Sequence, residues 1–129
     1  MMAAYPELLR GVIMPRANEP MLLAGTLDLL ILRALSWGAR HGYAVAGWIH
    51  ATSKETIAVE DRALYLALHR LEDRGYVQAE WAYTENNRRA KFYELTAAGR
   101  RELKGQERDF TRYVNAVFLI LGASEPAAS

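Results

Sequence analysis

Residues Glu60–Arg89 decide the fold, and they read EDRALYLALHRLEDRG, then YVQAEWAY, then TENNRR. Within the first part, Leu64, Leu68 and Leu71 recur at positions i, i+4 and i+7, which lie on one face of an α-helix. Acidic residues begin this segment, and arginines followed by a glycine end it. The pattern predicts a helix over residues 60–74 whose leucine face packs in the core.

The opposite face of this helix carries side chains that can bind DNA. Arginine is suited to bidentate contact with phosphate or guanine, and a tyrosine hydroxyl can reach a phosphate oxygen. For the helix alone, an ordinary solvated surface fits the same pattern equally well. The candidate DNA-binding residues of the helix are Arg62, Tyr65, Leu66, His69 and Arg70.

A β-hairpin with a basic tip follows the helix. Alternation at period two predicts a strand over Tyr76–Tyr83, and Ala90–Thr96 predicts a second one. The turn between them contains two asparagines, which tolerate the left-handed backbone of a tight connection. This is the order of a winged helix-turn-helix, in which the helix enters the major groove and the hairpin, or wing, follows the DNA backbone. The candidate wing contacts are Asn87, Arg88, Arg89 and Lys91.

Two further helices are predicted ahead of this unit. The first, over Leu23–Trp37, is apolar on nearly all sides, so that one face is expected in the core and another against a second subunit. The second is predicted over His41–Ser53, with Tyr43 pointing inward. The segment Ile57–Val59 could add a third strand to the hairpin.

A long helix is predicted from Thr96, as its N-cap, to about Leu121. Its apolar residues are spaced by 7, 4, 3 and 4 positions, which is a heptad-like seam. This stripe should pack on the first helix, on a second subunit, or on both. The predicted dimer interface consists of Leu29, Leu32, Leu103, Phe110, Val114, Val117 and Leu121.

These elements together predict a mainly α-helical chain with a small β-hairpin, that is, a winged helix-turn-helix plus a long C-terminal dimerisation helix. Residues 1–20 are expected to form an N-terminal extension, either disordered or containing a short helix. Residues 21–96 form the winged-helix domain, residues 97–121 the dimerisation helix and residues 122–129 a flexible tail.

The composition limits the function classes. The 129 residues include 16 basic and 15 acidic side chains, so that any affinity for nucleic acid must come from a local patch. Cysteine is absent, which suits a reducing cytoplasm, and no signal peptide or membrane-spanning run is evident. The three histidines lack the spacing of a metal site, and no phosphate-binding glycine loop or nucleophile elbow is found. We therefore expect a cytoplasmic protein that is not an enzyme and needs no metal or cofactor.

Four segments resemble PadR-type transcriptional regulators: GTLDLLILRAL, RHGYAVAGWI, ALYLALHRLEDRGYV and ENNRRAKFYELTAAGRREL. The resemblance covers roughly residues 23–121 and implies a homodimer whose two winged heads bind a palindromic site in double-stranded DNA, usually as a repressor. It also implies a role in recognition for Tyr65 and the basic wing. Some members respond to a small aromatic or cationic effector. Two departures from the family pattern, Arg62 and Leu66, imply that the operator sequence does not carry over.

The charge of the head leaves one alternative open. Residues 54–94 contain eight acidic and seven basic side chains, so that the head as a whole is not basic. A dimeric winged-helix module that binds another protein would have the same balance. DNA binding requires that the acidic side chains lie away from the recognition helix and the wing.

Overall fold

The computed structural model describes residues 25–126, and in this part of the chain it contains four helices and three strands. The predicted N-terminal extension, residues 1–20, lies outside the described residues. The mainly α-helical fold with a small sheet is confirmed. In chain order the elements are α1 (Thr26–Ala34), β1 (Arg40–His41), α2 (Gly42–Thr52), α3 (Asp61–Asp73), β2 (Val77–Tyr83), β3 (Arg89–Leu95) and α4 (Ala97–Leu121).

Helix α3 has the predicted bounds once its caps are counted. Glu60 is the N-cap, with extended backbone, and Arg74 is the C-cap. Gly75 follows at φ 78°, a left-handed conformation that turns the chain into β2. The leucine face is buried as predicted, because every leucine of the i, i+4, i+7 series is at most 1% exposed.

The strands β2 and β3 form the predicted antiparallel hairpin, here called the wing. Their register runs from the pair Val77 and Leu95 to the pair Tyr83 and Arg89. The Thr84 N–H donates to the Arg88 carbonyl at 2.8 Å and closes the turn. Asn87 has φ 59°, so that one of the two asparagines takes the left-handed conformation that the turn was predicted to need.

The third strand is not the one predicted. Ile57–Val59 pairs with no strand, and instead Ile57 and Val59 pack against the hydrophobic core. The outer edge of β3 is taken by Arg40–His41, which gives the strand order β1-β3-β2. The reason is topological: β2 occupies one edge of β3, and the chain entering α2 runs along the other.

Helix α1 ends earlier than the predicted Trp37 and is deeply buried, whereas its predicted start at Leu23 lies outside the described residues. It ends at Ala34 with Leu35 as its C-cap, where the Ser36 hydroxyl donates to the Arg33 carbonyl at 2.7 Å. Leu32 is 0% exposed and Leu103 on α4 is 6% exposed, both within the core of one chain. Their predicted place in the dimer interface was therefore wrong, because neither side chain has surface left for a partner.

Helix α4 begins at Thr96 as predicted, since the threonine hydroxyl accepts a hydrogen bond from Gly99 N–H at 3.0 Å. A Cβ on Gly99 would lie 1.9 Å from the Tyr76 carbonyl oxygen, so that only glycine permits this close approach to the residue before β2. The first half of the helix packs on α1. At its end, Phe118, Leu119, Ile120 and Leu121 are 65–76% exposed.

Candidate nucleic-acid interface

A groove of about 800 Å³ lies between the wing and the N-terminal parts of α2 and α3. Both predicted wing arginines, the predicted wing lysine and the predicted helix tyrosine line it. The tertiary structure therefore brings together residues that the sequence separates by more than twenty positions. The groove is lined by His41, Tyr43, Tyr65, Trp81, Thr84, Asn86, Arg88, Arg89, Ala90, Lys91 and Tyr93.

The groove is positively charged although the head as a whole is not. Its lining, within the described part of the chain, includes two arginines and a lysine but no carboxylate. Because side chains alternate across a sheet, Glu80 and Glu94 lie on the face of the wing opposite to Arg89 and Lys91. There Glu94 accepts a hydrogen bond from Gln78 at 2.8 Å. The condition that DNA binding places on the acidic residues is met at the wing.

The outer face of α3 presents mixed side chains to solvent. Arg62 is exposed, and Leu66 is 56% exposed beside it in the helix. His69 is also exposed, with its Nε2 3.6 Å from the Asp73 carboxylate. With Tyr65, four of the five predicted helix contacts are thus exposed. An exposed leucine is suited to touching a thymine methyl.

Tyr65 is held where α3 approaches α2. The residue is 47% exposed, and its ring lies so close to Gly42 that a Cβ there would come within 2.8 Å of the ring carbon Cε1 and the phenol oxygen. Gly42 is the first residue of α2, after the N-cap His41. The glycine therefore provides the space that the Tyr65 ring occupies, a role that the sequence alone did not reveal.

Arg70 lies elsewhere than predicted. Its guanidinium contacts Asp28 of α1 through Nη2 to Oδ1 at 2.5 Å and Nε to Oδ2 at 3.4 Å. Among the described residues, Asp28 is the charged residue that is buried, at 7% exposed. Arg70 is thus turned toward α1 rather than toward the open face of α3. We reassign it from a DNA contact to an anchor between two helices.

Lys91 lines the groove, but a carboxylate of the same chain partly neutralises its charge. Its Nζ lies 3.4 Å from the Glu72 carboxylate and 5.6 Å from the centre of the Tyr93 ring. Burial raises the pKa of the Tyr93 phenol above its usual range, and the Lys91 ammonium partly opposes that rise. Tyr93 therefore stays neutral near pH 7. Of the wing cations, Arg88 and Arg89 are the more exposed.

Sequence reasoning missed part of the groove. Tyr43 was predicted to point inward, but it is 79% exposed and lines the groove. The exposure of Tyr43 could have been inferred from the other residues on its face of the helix. Gly47 and Ala51, at i+4 and i+8, are too small to fill a core, and both are exposed in the structure. Trp81 could have been found only from the hairpin register, which sets it beside Lys91.

A second cleft, of about 460 Å³, lies between the start of α1 and the middle of α4. Two members of the predicted interface, Leu29 and Phe110, line the cleft. Val114 is half-buried one turn further along α4. The cleft combines aromatic, apolar and acidic groups. Its lining residues are Gly25, Thr26, Leu29, Gln106, Asp109, Phe110 and Tyr113.

Within residues 25–126 neither a metal-binding cluster nor a membrane-spanning helix is found. No group of three or more histidine, aspartate or glutamate side chains is placed to hold a metal ion. None of the described helices is long and apolar enough to cross a membrane.

The chain was compared with protein families and solved structures. The model of the transcriptional regulator PadR-like family matches residues 31–105, more than half of the chain and all of the groove. A transcriptional regulator from Clostridium thermocellum is 29% identical, with a TM-score of 0.62 over 74% of this chain and 91% of that one. A PadR family regulator from Eggerthella lenta is 28% identical, with a TM-score of 0.64 over 78% and 85%.

A third structure, Bacillus subtilis PadR in complex with operator DNA, is 21% identical and has a TM-score of 0.55. The match covers 81% of this chain and 51% of that protein. At this identity the likeness concerns the fold, which is the predicted winged helix with a long terminal helix.

Proposed function

Because the chain belongs to the PadR-like family of transcriptional regulators, we propose that it binds operator DNA as a homodimer and represses transcription. The observation that carries this proposal is the groove, whose lining has no carboxylate within the described residues and has three cations, of which Lys91 is paired with Glu72 and the two arginines are exposed. Such a surface attracts phosphates, whereas a surface for an average protein partner mixes both charges. The Bacillus subtilis protein of the same fold is described in complex with operator DNA.

In this proposal the outer face of α3 enters the major groove. Arg62, Leu66 and His69 are exposed there and face base edges, while Tyr65 and the wing contact the flanking backbone. Arg88 and Arg89 bind phosphates, and Asn87 holds the turn that presents them. Base contacts give the sequence preference, and phosphate contacts give most of the affinity.

The second subunit is proposed to cover the apolar surface of α1 and α4. Leu29, Phe110, Val114 and Val117 are half-buried in the single chain, and Leu121 is 73% exposed. Apolar side chains in this number at the end of one helix favour burial against another chain. Two heads related by a two-fold axis would read a palindrome whose half-sites lie roughly 34 Å apart.

Release by a small aromatic or cationic effector is part of the same proposal. The cleft between α1 and α4 offers the rings of Phe110 and Tyr113 together with the Asp109 carboxylate. These groups suit a flat cation. Binding there would change the angle between the heads, because α1 and α4 also carry the proposed dimer interface.

The test is fluorescence anisotropy with the upstream intergenic DNA of the protein's own gene and with a scrambled fragment, across a range of salt concentrations. We expect tighter binding to the upstream fragment, two subunits per site, and affinity that falls as salt rises. The double variant R88A/R89A should weaken binding to all sequences and reduce the slope of log affinity against log salt by about 2 per head. By contrast, R62A should change the preferred sequence.

The charge-matched control is R108A/R112A, which removes two exposed cations from α4, away from the wing. Both arginines pair with Asp109 on the proposed dimerisation helix, so that size-exclusion chromatography must first show an unchanged subunit number. The control should then bind DNA like the parent protein. Equal loss of affinity in both double variants would mean that only net charge matters, and the proposed docking would be wrong. Equally weak binding of the parent to both fragments, followed by failure to enrich any site from random DNA, would favour a protein partner.

A further inference from the structure

We propose that Trp81 is a positioning residue for DNA binding, because its indole holds the Arg89 guanidinium over the groove. The inference rests on the proposed DNA-binding function and goes beyond it. The guanidinium carbon of Arg89 lies 4.6 Å from the centre of the Trp81 ring. The indole is 58% exposed, although a large aromatic group usually finds a more buried place.

The register of the wing explains how the two side chains meet. Tyr83 lies directly opposite Arg89, and Trp81 lies opposite Lys91, so that Trp81 and Arg89 are diagonal neighbours on the same face of the hairpin. Long and aromatic side chains can bridge this diagonal distance. The arrangement sets the stacked pair on the wall of the groove rather than on the acidic outer face of the wing.

Stacking restricts Arg89 without occupying its hydrogen-bond donors. The N–H groups of a guanidinium lie in its plane, so that a ring packed against the flat face leaves the edge free for a bidentate contact with phosphate. An arginine near the end of a hairpin would otherwise lose side-chain freedom on binding. The indole imposes part of that order before DNA arrives.

Arg88 provides the internal comparison. Its backbone closes the turn with Thr84, but within residues 25–126 its side chain makes no ion pair and no cation–π contact. We therefore expect Arg89 to contribute more to DNA affinity than Arg88. This difference should depend on the presence of Trp81.

The experiment is a double-mutant cycle on the dissociation constant for the upstream DNA fragment. The variants are W81L, R89A and W81L/R89A, with W81F as the conservative replacement. Ordering one flexible side chain at an interface lowers affinity by about two- to twelve-fold. Because Trp81 imposes only part of that order in advance, we expect its effect to be about two- to five-fold for one head, or about four- to twenty-five-fold when both heads of a dimer engage. W81L should weaken binding by this factor when Arg89 is present and have no further effect in the R89A background.

Two controls separate positioning from folding. Y83L changes an aromatic residue that is 69% exposed and directly opposite Arg89, but that has no cation–π contact with it. It should leave affinity unchanged. W81F retains a π face and should bind nearly as well as the parent, whereas a purely apolar packing role would let leucine serve equally well. Thermal unfolding followed by circular dichroism verifies that each variant is folded.

The outcomes are distinct. Coupling between positions 81 and 89, with rescue by phenylalanine, supports the assignment. If the parent protein binds DNA and the effects of W81L and R89A are additive, Trp81 does not act through Arg89 and only this inference fails. If W81L does not fold, W81F must still bind clearly better than R89A, and equal loss in both would overturn the assignment. If the parent protein binds no DNA, this inference and the proposed function fail together.

Discussion

Removal of Arg70 should destabilise the protein more than removal of its partner Asp28. The two side chains share two contacts, at 2.5 Å and 3.4 Å, which join α3 to α1. Their burial differs: the Asp28 side chain is 10% exposed and the Arg70 side chain is 41% exposed. The two single variants therefore leave different groups unpaired, one in the core and one near water.

The magnitudes follow from that asymmetry. R70A leaves a carboxylate buried without its cation, a change that typically costs about 3–5 kcal/mol in the free energy of unfolding. D28A leaves a guanidinium that can turn into solvent, so that the loss is at most that of charge-assisted hydrogen bonds, about 1.5–3 kcal/mol. Solvent screening at Arg70 places D28A toward the lower end of that range.

Urea unfolding measures both free energies, provided that all variants are compared at one protein concentration, because dimerisation adds to the apparent stability. D28N is the isosteric control: it keeps the size of the aspartate side chain and removes its charge. Its stability should lie between those of D28A and the parent protein, because the amide oxygen can still accept a hydrogen bond from Arg70. Equal destabilisation by R70A and D28A would refute the reasoning. A stable R70A protein that had lost DNA binding would restore Arg70 to the recognition surface.

Three further predictions concern the groove and the start of α4. G42A should force the Tyr65 ring aside and weaken DNA binding about as much as Y65A does. Its stability should stay near that of the parent protein, because alanine favours the helix. Unchanged DNA affinity would mean that the position of the ring does not matter. Burial raises the pKa of Tyr93 in the folded state, so that the unfolded chain releases this proton first as the pH rises above about 10. The free energy of unfolding should therefore fall above that pH, and Y93F should reduce the fall in alkaline unfolding curves. T96A should cost about 1–2 kcal/mol in urea unfolding by removing the cap on Gly99, T96S should restore most of it, and equal stability of all three proteins would contradict the capping role.

Local features of the sequence were sufficient for most element boundaries. Helix α3 could be predicted to within its caps because leucine spacing, acidic start and terminal glycine all act within a few residues. The N-cap of α4 was equally predictable, since Thr96 bonds to the backbone only three residues away. These signals need no knowledge of the rest of the chain.

Non-local predictions were less successful. Helical spacing could not tell whether Leu32 and Leu103 face another subunit or the core, because both surfaces demand the same apolar side chains. The third strand was misplaced for a similar reason: Ile57–Val59 and Arg40–His41 can both extend, and only the free edge of β3 selects between them.

The sequence by itself therefore determined the order of the helices and of the two wing strands, the basic turn of the wing, and the family. The tertiary structure alone decided which charges and rings meet. Arg70 could have faced DNA, but its guanidinium binds the buried carboxylate of Asp28, 42 positions earlier in the chain. The eight acidic residues of the head could have cancelled the seven bases, but strand alternation turns Glu80 and Glu94 away from the groove. Long-range packing settles such pairings because charge and burial depend on neighbours in space, which the chain acquires only when it folds.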